Sequence, residues 1–195
     1  MTKKEQPYYK SANLLRILRK LHRQIAIFLF AFFLIISITG LLLGWKKNSF
    51  GIILPPTSKG VSTDLKTWLP LDSLQTIAVT TLHDSISKTL SSDIERIDAR
   101  PSKGIVKFVF NDDYWEIQLD GTTGNVLQIN RRKSDIIENI HDGTILDVLF
   151  NTKNDQFKLS YTTIMGLALL ALTGTGFWLW YGPKRIRQQK QNRNN

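Results

Sequence analysis

Residues 25–43 read IAIFLFAFFLIISITGLLL, a run of 19 residues without a charged side chain, and Trp45 closes it. At a rise of about 1.5 Å per helical residue the run is roughly 28 Å long, close to the thickness of a bilayer core. A cleaved signal peptide is the alternative interpretation. It fits poorly because the run is too long and is followed by GWKK rather than by a small-residue cleavage site. The stretch therefore predicts an uncleaved transmembrane helix over residues 25–45.

A second uncharged run lies near the C-terminus, at residues 159–183 (LSYTTIMGLALLALTGTGFWLWYGP). Tyr161 stands at one end of it, and Trp180 with two aromatic neighbours stands at the other. Aromatic side chains at both ends suit the two membrane interfaces. This run predicts a second transmembrane helix over residues 159–181.

The charged residues divide the chain into three parts. Residues 1–24 hold seven basic residues and one acidic residue, a net charge of +6, and residues 184–195 hold five basic residues and no acid. Residues 46–158 hold 14 basic and 15 acidic residues, a net charge of −1. By the positive-inside rule we expect the basic tails, residues 1–24 and 182–195, to be cytoplasmic and residues 46–158 to lie outside the cytoplasm.

The same charge distribution limits the function. A formal net charge of +10 would suit a nucleic-acid-binding protein, but the excess lies beside apolar runs, where basic residues attract anionic lipid. We therefore expect membrane lipid as a partner and no nucleic acid. The chain has no cysteine, so it has no disulfide, thiolate metal site or cysteine nucleophile.

Signatures of catalysis are also missing from the sequence. Neither apolar run contains an ionisable residue, which disfavours a transporter or a proton relay. The sequence has no nucleophile elbow, phosphate loop or zinc-protease motif, and no histidine–carboxylate spacing typical of a metal site. We expect no catalytic residues and no metal, and we favour a non-enzymatic function.

Between the apolar runs the pattern predicts a small α+β domain. Residues 46–70 are rich in glycine and proline and are interpreted as a connector. Residues 71–90 have apolar side chains at helical spacing, with Asp72 or Ser73 as the predicted N-cap. Short β-branched and aromatic stretches separated by turn residues then predict an antiparallel meander, with strands over residues 94–99, 104–110, 114–119 and 125–129.

Residues 131–158 precede the second apolar run. In SDIIENIHDGTILDVLF the apolar positions approximate one face of a helix that is broken near Gly143. The segment is interpreted as an amphipathic juxtamembrane element on the outer leaflet. His141 and Asp142 within it are alternatively candidates for ligating a metal or a haem, although no further ligand at suitable spacing appears.

Several of these stretches, in this order, resemble a known family. YWEIQLDGTTGNVLQI is similar to the most recognisable strands of PepSY domains. LRKLHRQIAIFLFAFFLIISITGLLLGW resembles the first helix of PepSY-associated transmembrane proteins, and IHDGTIL with MGLALLALTGTGFWLWYGPKR resembles the approach to their last helix and that helix. The resemblance covers about residues 14–187. It implies two transmembrane helices that flank an extracytoplasmic PepSY-like domain, residues 71–130, in the bacterial inner membrane.

Two functions follow from the resemblance as expectations. The first is an interaction, regulatory or accessory subunit of the bacterial envelope, which binds a peptide or an envelope protein at its sheet and is linked to iron or siderophore uptake. The second is a haem-bearing electron-transfer subunit that reduces ferric chelates, because larger members of the family include ferric-siderophore reductases with haem in the membrane.

The haem hypothesis makes His22 and His141 candidate ligands of haem b, since neutral imidazole binds haem iron. The alternative for His22 is an interfacial side chain among basic neighbours, and the alternative for His141 is the amphipathic segment described above. The predicted topology places the two histidines on opposite sides of the membrane, so one haem cannot use both from a single chain. A bis-histidine site would require the same histidine from two chains.

Small residues in both apolar runs predict close helix packing. Small side chains let helix backbones approach in lipid, where no hydrophobic drive for association exists. With only two helices per chain, this favours self-association or docking on another membrane protein. The candidate packing residues are Gly40 and Gly44, which form a GxxxG, and Gly166, Ala171 and Gly174.

Overall fold

The structure is a computed structural model, and it describes residues 7–152 and 154–194. The outermost parts of the predicted basic tails, residues 1–6 and 195, and residue 153 of the predicted juxtamembrane segment lie outside the described residues. The helices and strands follow one another as α1 (Pro7–Gly44), α2 (Leu71–Ser85), β1 (Ile94–Arg100), β2 (Ile105–Phe110), β3 (Trp115–Asp120), β4 (Val126–Arg131), α3 (Lys133–Asp142), α4 (Thr144–Phe150) and α5 (Gln156–Asn194).

The chain divides into two compact units. One comprises Met1–Ile38 with Ile140–Asn195, and the other comprises Thr39–Asn139. The predicted fold class is confirmed: two long apolar helices flank, along the chain, a small domain made of a helix and an antiparallel sheet. The two units bury their apolar side chains in different ways.

In the first unit α1 and α5 form an antiparallel pair. Both are long and apolar enough to cross a membrane, over Ser11–Gly44 and Gln156–Gln188. Leu15 packs against the backbone of Gly182, and the ring of Phe32 meets that of Tyr161 edge to face at 6.2 Å. Contacts early in α1 therefore match contacts late in α5, which brings the basic residues that flank the two apolar runs to one end of the pair.

The sheet of the second unit is a four-stranded meander of order β1-β2-β3-β4, and every neighbouring pair is antiparallel. The four predicted strands are confirmed to within two residues at each end. α2 covers one face of the sheet and buries Leu74, Ala78 and Leu82 against β2 and β3. Apolar side chains at every second position of β2 and β3 supply the other half of this core, which contains Val106, Phe108, Phe110, Ile117 and Leu119.

Two details of the predicted helix are wrong. The helix ends at Ser85 rather than at residue 90, because the backbone of Ile86 leaves the helical region. Pro70, rather than Asp72 or Ser73, occupies the N-cap position and has no side chain to cap the helix, while the carboxylate of Asp72 accepts a bond from the neighbouring amide of Ser73. The apolar spacing defined the buried face correctly but not the helix ends.

The connector runs across the opposite face of the sheet. The Gly60 amide donates to the carbonyl oxygen of Lys103 at 2.8 Å, and a Cβ at Gly60 would collide with the carbonyl oxygen of Gly104. Gly104 itself has a left-handed φ of 70°, which glycine adopts without strain. The backbone of the connector at Gly60 therefore packs directly against the backbone of the turn at Gly104, and only glycine permits that approach.

The predicted break near Gly143 is confirmed. Gly143 separates α3 from α4 with a φ of 84°, a conformation that favours glycine. A Cβ at this position would lie 2.8 Å from the ring of Tyr161, so the missing side chain also allows the turn to pack against α5.

Candidate functional site

The sheet face covered by the connector is polar and fully buried. Lys107 of β2 and Glu116, Gln118 and Asp120 of β3 alternate with the core residues, so their side chains point away from α2. Lys107, Glu116 and Asp120 carry charge, and charged groups are expensive to bury unless each is paired. The hydrogen-bond partners of these groups therefore decide whether the face is a binding cleft or a closed interior.

Glu116 is the centre of that face. Its carboxylate accepts from Lys107 Nζ at 3.3 Å, from Gln118 Nε2 at 2.7 Å and from a guanidinium nitrogen of Arg132 at 2.5 Å. Burial lowers the pKa of Lys107, and the negative charge of Glu116 opposes that change. Burial also acts to lower the pKa of Arg132, but hydrogen bonds to Asp135 and Glu116 outweigh it and raise that pKa.

The connector supplies hydrogen-bond partners to Gln118 and Asp120, whereas Gln128 Oε1 and Asn130 Nδ2, on the same face of β4, are buried without a partner among the described residues. Gln118 receives the Ser58 amide at 3.0 Å and donates to the Pro56 carbonyl oxygen at 2.9 Å. Asp120 accepts the Val61 amide at 2.6 Å. Each of these contacts joins residues about 60 positions apart, which no sequence motif records. The chain's own connector thus covers the polar face over β3.

The two edges of the sheet differ in their protection. On β1, charged side chains form ion pairs along the strand: Arg100 with Asp98 at 2.6 Å, and Arg96 with Asp135 at 3.2 Å. The register of β1 is also irregular between Ile94 and Arg96. Charges and irregularities of this kind are how proteins block strand addition at an edge.

β4 is protected mainly at its ends: its register with β3 is irregular between Gln118 and Leu119, and Arg131 at its last position pairs with Asp113 at 2.6 Å. From residue 126 to residue 130 it carries no charged side chain, and Val126 is exposed. The Arg132 amide bonds to the Tyr114 carbonyl oxygen, and the antiparallel alternation then turns the amides of Ile129 and Arg131 away from β3. Within residues 7–152 and 154–194, no backbone hydrogen bond reaches these outward groups of β4.

His22 lies in the interface between α1 and α5. Its Nδ1 is 2.8 Å from the hydroxyl oxygen of Thr175. That hydroxyl donates its own proton to the carbonyl oxygen of Ala171 at 2.6 Å, so it accepts a hydrogen bond from Nδ1–H. A neutral imidazole that donates from Nδ1 has its lone pair on Nε2, which is the tautomer that a metal-binding histidine presents.

His141 lies in α3, outside the pair formed by α1 and α5. Its neighbour Gly143 packs on Tyr161, whereas His22 packs on Thr175, which is 14 residues further along α5. At about 1.5 Å per residue the two sites are roughly 21 Å apart along that helix. The structure therefore does not bring the two candidate haem ligands together, and the part of the chain that it describes contains no cluster of three metal-ligating side chains.

Three of the five predicted packing residues have open space where a Cβ would lie. A Cβ at Gly44, Gly166 or Gly174 would meet nothing within 4 Å. Gly40 and Ala171 are half-buried. The glycines that touch the partner helix are Gly176, beside the ring of His22, and Gly182, beside Leu15. A role of the first set in contacts with a second protein remains a prediction.

Comparison with known proteins adds one finding. A search of curated proteins gave no match to the chain. The model of the PepSY-associated TM region family matches residues 19–195, which include both apolar helices and the whole sheet domain. Because that match covers most of the sequence and agrees with the architecture described above, the chain belongs to the PepSY-associated transmembrane family and is a membrane protein.

Proposed function

We propose that this protein is a binding module of the bacterial inner membrane. In this proposal both basic tails are cytoplasmic, residues 46–158 are extracytoplasmic, and the sheet captures an extended segment of a peptide or envelope protein. The charge distribution of the sequence supports the orientation. The binding mode is addition of a strand to the sheet edge, in which backbone hydrogen bonds supply affinity and alternate side chains supply specificity.

The contrast between the two edges carries this proposal. β1 carries ion-paired charges, whereas β4 offers an outward amide at Ile129 within the uncharged residues 126–130, and its charged side chain, Arg131, lies at the end of the strand and pairs with Asp113. An unprotected edge is a template for pairing with another strand. The connector covers the polar face over β3, so β4 is the part of the sheet that remains available.

The test removes one outward amide. Proline at position 129 lacks the N–H, and the ladder to β3 does not use that N–H. The full chain in nanodiscs is panned against a library of extended peptides, and an enriched peptide is measured by fluorescence anisotropy. Loss of one backbone hydrogen bond, about 1–1.5 kcal/mol, predicts an affinity roughly tenfold weaker for Ile129→Pro.

Ile129→Ala is the matched control, because it loses the same side chain and keeps the amide. It should bind within about threefold of the unmodified chain, since the peptide contacts the backbone and not the core-facing side chain. Binding that is equal in Ile129→Pro and Ile129→Ala, or a library that yields no binder, would contradict the proposal. Circular dichroism of each variant shows that the domain is folded.

The same proposal gives the protein an accessory role in iron or siderophore uptake. The support is membership of the PepSY-associated TM region family, together with the resemblance to ferric-siderophore reductases that the sequence suggested. Deletion of the gene should then slow growth on ferric siderophores as the only iron source, and Ile129→Pro should fail to restore it where Ile129→Ala succeeds. Equal growth with and without the gene would remove the link to iron.

A second candidate function is haem-dependent reduction of ferric chelates, and the tautomer of His22 favours it. Thr175 orients the ring and leaves Nε2 available, so His22 has the arrangement that would hold haem iron as one axial ligand, with a second chain supplying the other. Haem would supply the one-electron chemistry. The absorption spectrum of protein expressed with ample haem tests it: a Soret band that is lost in His22→Ala supports the function, and absorbance from protein alone excludes it.

A further inference from the structure

The loop-side end of α5 carries an exposed apolar cluster that the proposed function does not use. Val148, Leu149 and Phe150 at the end of α4 are 63%, 72% and 60% exposed, and Phe157 in the first turn of α5 is 37% exposed. The rings of Phe150 and Phe157 stack at 5.2 Å. Contiguous exposed apolar surface of this kind is rare on the water-facing surface of a protein and marks a contact with another phase or partner.

A buried carboxylate fixes the cluster in place. Asp147 accepts hydrogen bonds from the hydroxyl of Thr152, from the Phe157 amide at 3.0 Å and from the Lys158 amide at 2.7 Å. Amides in the first turn of a helix have no acceptor within the helix, so Asp147 caps α5 from nine residues before its first residue. α4 is therefore clamped to the first turn of α5 rather than hanging from a free loop.

The composition of α4 suits an apolar environment. Between residues 143 and 152 the only ionisable side chain is Asp147, and it is buried with its oxygens hydrogen-bonded. The exposed end of α4 thus offers no charge to water. By contrast, the exposed positions of β1 carry Glu95, Arg96 and Arg100, as expected for a surface in water.

The position of the cluster identifies what covers it. The uncharged run of α5 begins at residue 159, two residues after Phe157. Its 25 residues are about 37 Å long, more than the roughly 30 Å of a hydrocarbon core, so the first turn of α5 lies at the headgroup boundary. The ring of Phe150 stacks on the ring of Phe157 in that turn, so the end of α4 lies at the same depth.

We propose that α4 is an interfacial anchor: the side chains of residues 148–150 and the ring of Phe157 insert into the headgroup–acyl boundary of the bilayer that α5 crosses. The lipid surface, rather than a second copy or another protein, is the occupant, because the cluster is held beside a helix that is itself surrounded by lipid. The anchor fixes the entry of the chain into the membrane independently of what the sheet binds.

The absence of cysteine from the sequence allows a clean test. Single variants Leu149→Cys, Ser102→Cys and Leu167→Cys are spin-labelled in the full chain and reconstituted into vesicles of phosphatidylcholine and phosphatidylglycerol. Ser102, in the turn between β1 and β2, is the water-exposed reference, and Leu167, exposed in the middle of α5, is the lipid-exposed reference. Power saturation compares collisions of each label with oxygen and with a polar nickel chelate.

The label at position 149 should collide with the nickel chelate several-fold less often than the label at 102, and with oxygen more often. Its depth should fall between the two references. Nickel accessibility equal to that at position 102 would place α4 in water and overturn the proposal. Dipolar broadening that disappears when labelled protein is diluted with unlabelled protein would show a second copy on the cluster, and shielding from both reagents would show another protein surface; each also overturns it.

Discussion

The sheet domain and the helix pair of this chain differ in how much of their side-chain surface is buried within the protein. Every residue of β2 is buried, because α2 covers one face of the strand and the connector covers the other. In the most apolar windows of α1 and α5 only 11% of the residues are buried. The sheet domain buries its apolar side chains within the domain. The helix pair instead needs lipid to cover the apolar side chains that the contact between α1 and α5 leaves exposed.

The treatment of polar groups shows the same difference. The sheet domain buries a charged network and pairs each of Lys107, Glu116 and Arg132. The contact between α1 and α5 includes a hydrogen bond between the side chains of His22 and Thr175. Breaking the charged network should therefore lower the free energy of unfolding far more than breaking the hydrogen bond between His22 and Thr175.

The largest effect is expected for Glu116→Ala. It leaves Lys107 and Arg132 as buried or half-buried cations without their shared partner, which costs about 3–5 kcal/mol of unfolding free energy. Hydrogen exchange of β2 and β3 amides in urea measures that free energy for the sheet domain alone. Glu95→Ala, on the exposed strand β1, is the control and should stay within about 0.5 kcal/mol. Similar losses in both variants would show that the network contributes nothing.

The network also shows where prediction from the sequence stopped. The runs GIVKFVF and YWEIQL predicted β2 and β3 because β-branched and aromatic residues favour strands, and that part is confirmed. The same runs gave no sign that Lys107 and Glu116 face an interior, because in a two-layer domain the polar face of a strand is in water. The third layer is the connector, whose irregular backbone has no periodicity to detect.

The next effect concerns Asp120, whose carboxylate holds the connector and the turn before β4. Burial acts to raise its pKa, but hydrogen bonds from the amides of Thr123, Val61 and Thr122 outweigh it, so the pKa lies below its usual value. Its contribution is therefore complete above the unfolded-state pKa of about 3.9 and is lost as the pH falls through the lower folded-state pKa. Asp120→Asn should cost about 1.5–3 kcal/mol at pH 7.

The pH dependence separates this charge effect from a loss of shape. In urea titrations, the difference in unfolding free energy between the unmodified chain and Asp120→Asn should be constant from pH 7 to about pH 5 and should shrink below about pH 4. Asp64→Asn, at an exposed turn of the connector, is the comparison and should show a smaller difference at pH 7. A gap for Asp120→Asn that does not change with pH would contradict a role for the ionised carboxylate.

A smaller effect is expected at the glycine contact between connector and sheet. Gly60→Ala forces the new Cβ against the Gly104 carbonyl oxygen, and because backbone cannot rotate away, overpacking should cost about 1–3 kcal/mol. Gly166→Ala is the matched change in the helix pair, where nothing lies within 4 Å, and there alanine should be neutral or slightly favourable. Thermal unfolding followed by hydrogen exchange distinguishes the two units. A loss at position 166 that depends on protein concentration would instead reveal packing against a second protein.

The helix pair was predicted from the sequence more completely than its site. Composition predicted the apolar parts of both helices, because 19 or more uncharged residues in a row are typical of a membrane span, but α1 and α5 also include the basic residues that flank these runs. His22 was singled out by its residue type, but its partner Thr175 is 153 residues away and is one of several threonines in the second apolar run. Only the pairing of α1 with α5 shows which hydroxyl meets the imidazole.

The smallest effect is expected for Thr175→Val, which keeps the shape of the side chain and removes the acceptor for His22 Nδ1–H. Hydrogen bonds between membrane helices contribute about 0.6 kcal/mol on average, close to a threefold change in an equilibrium constant, so the pair should remain assembled.

The tautomer of His22 is a more sensitive readout of this hydrogen bond than the stability of the helix pair. Nitrogen NMR of labelled histidine should place the proton of His22 on Nδ1 in the unmodified chain and should show a growing Nε2–H population in Thr175→Val. Thr173→Val, whose exposed hydroxyl bonds only to the carbonyl oxygen of Leu169, should leave the tautomer unchanged. If Thr175→Val also leaves it unchanged, the hydrogen bond to Thr175 does not orient the ring, and the structural support for His22 as an axial ligand is lost, while the sheet domain and its free edge are unaffected.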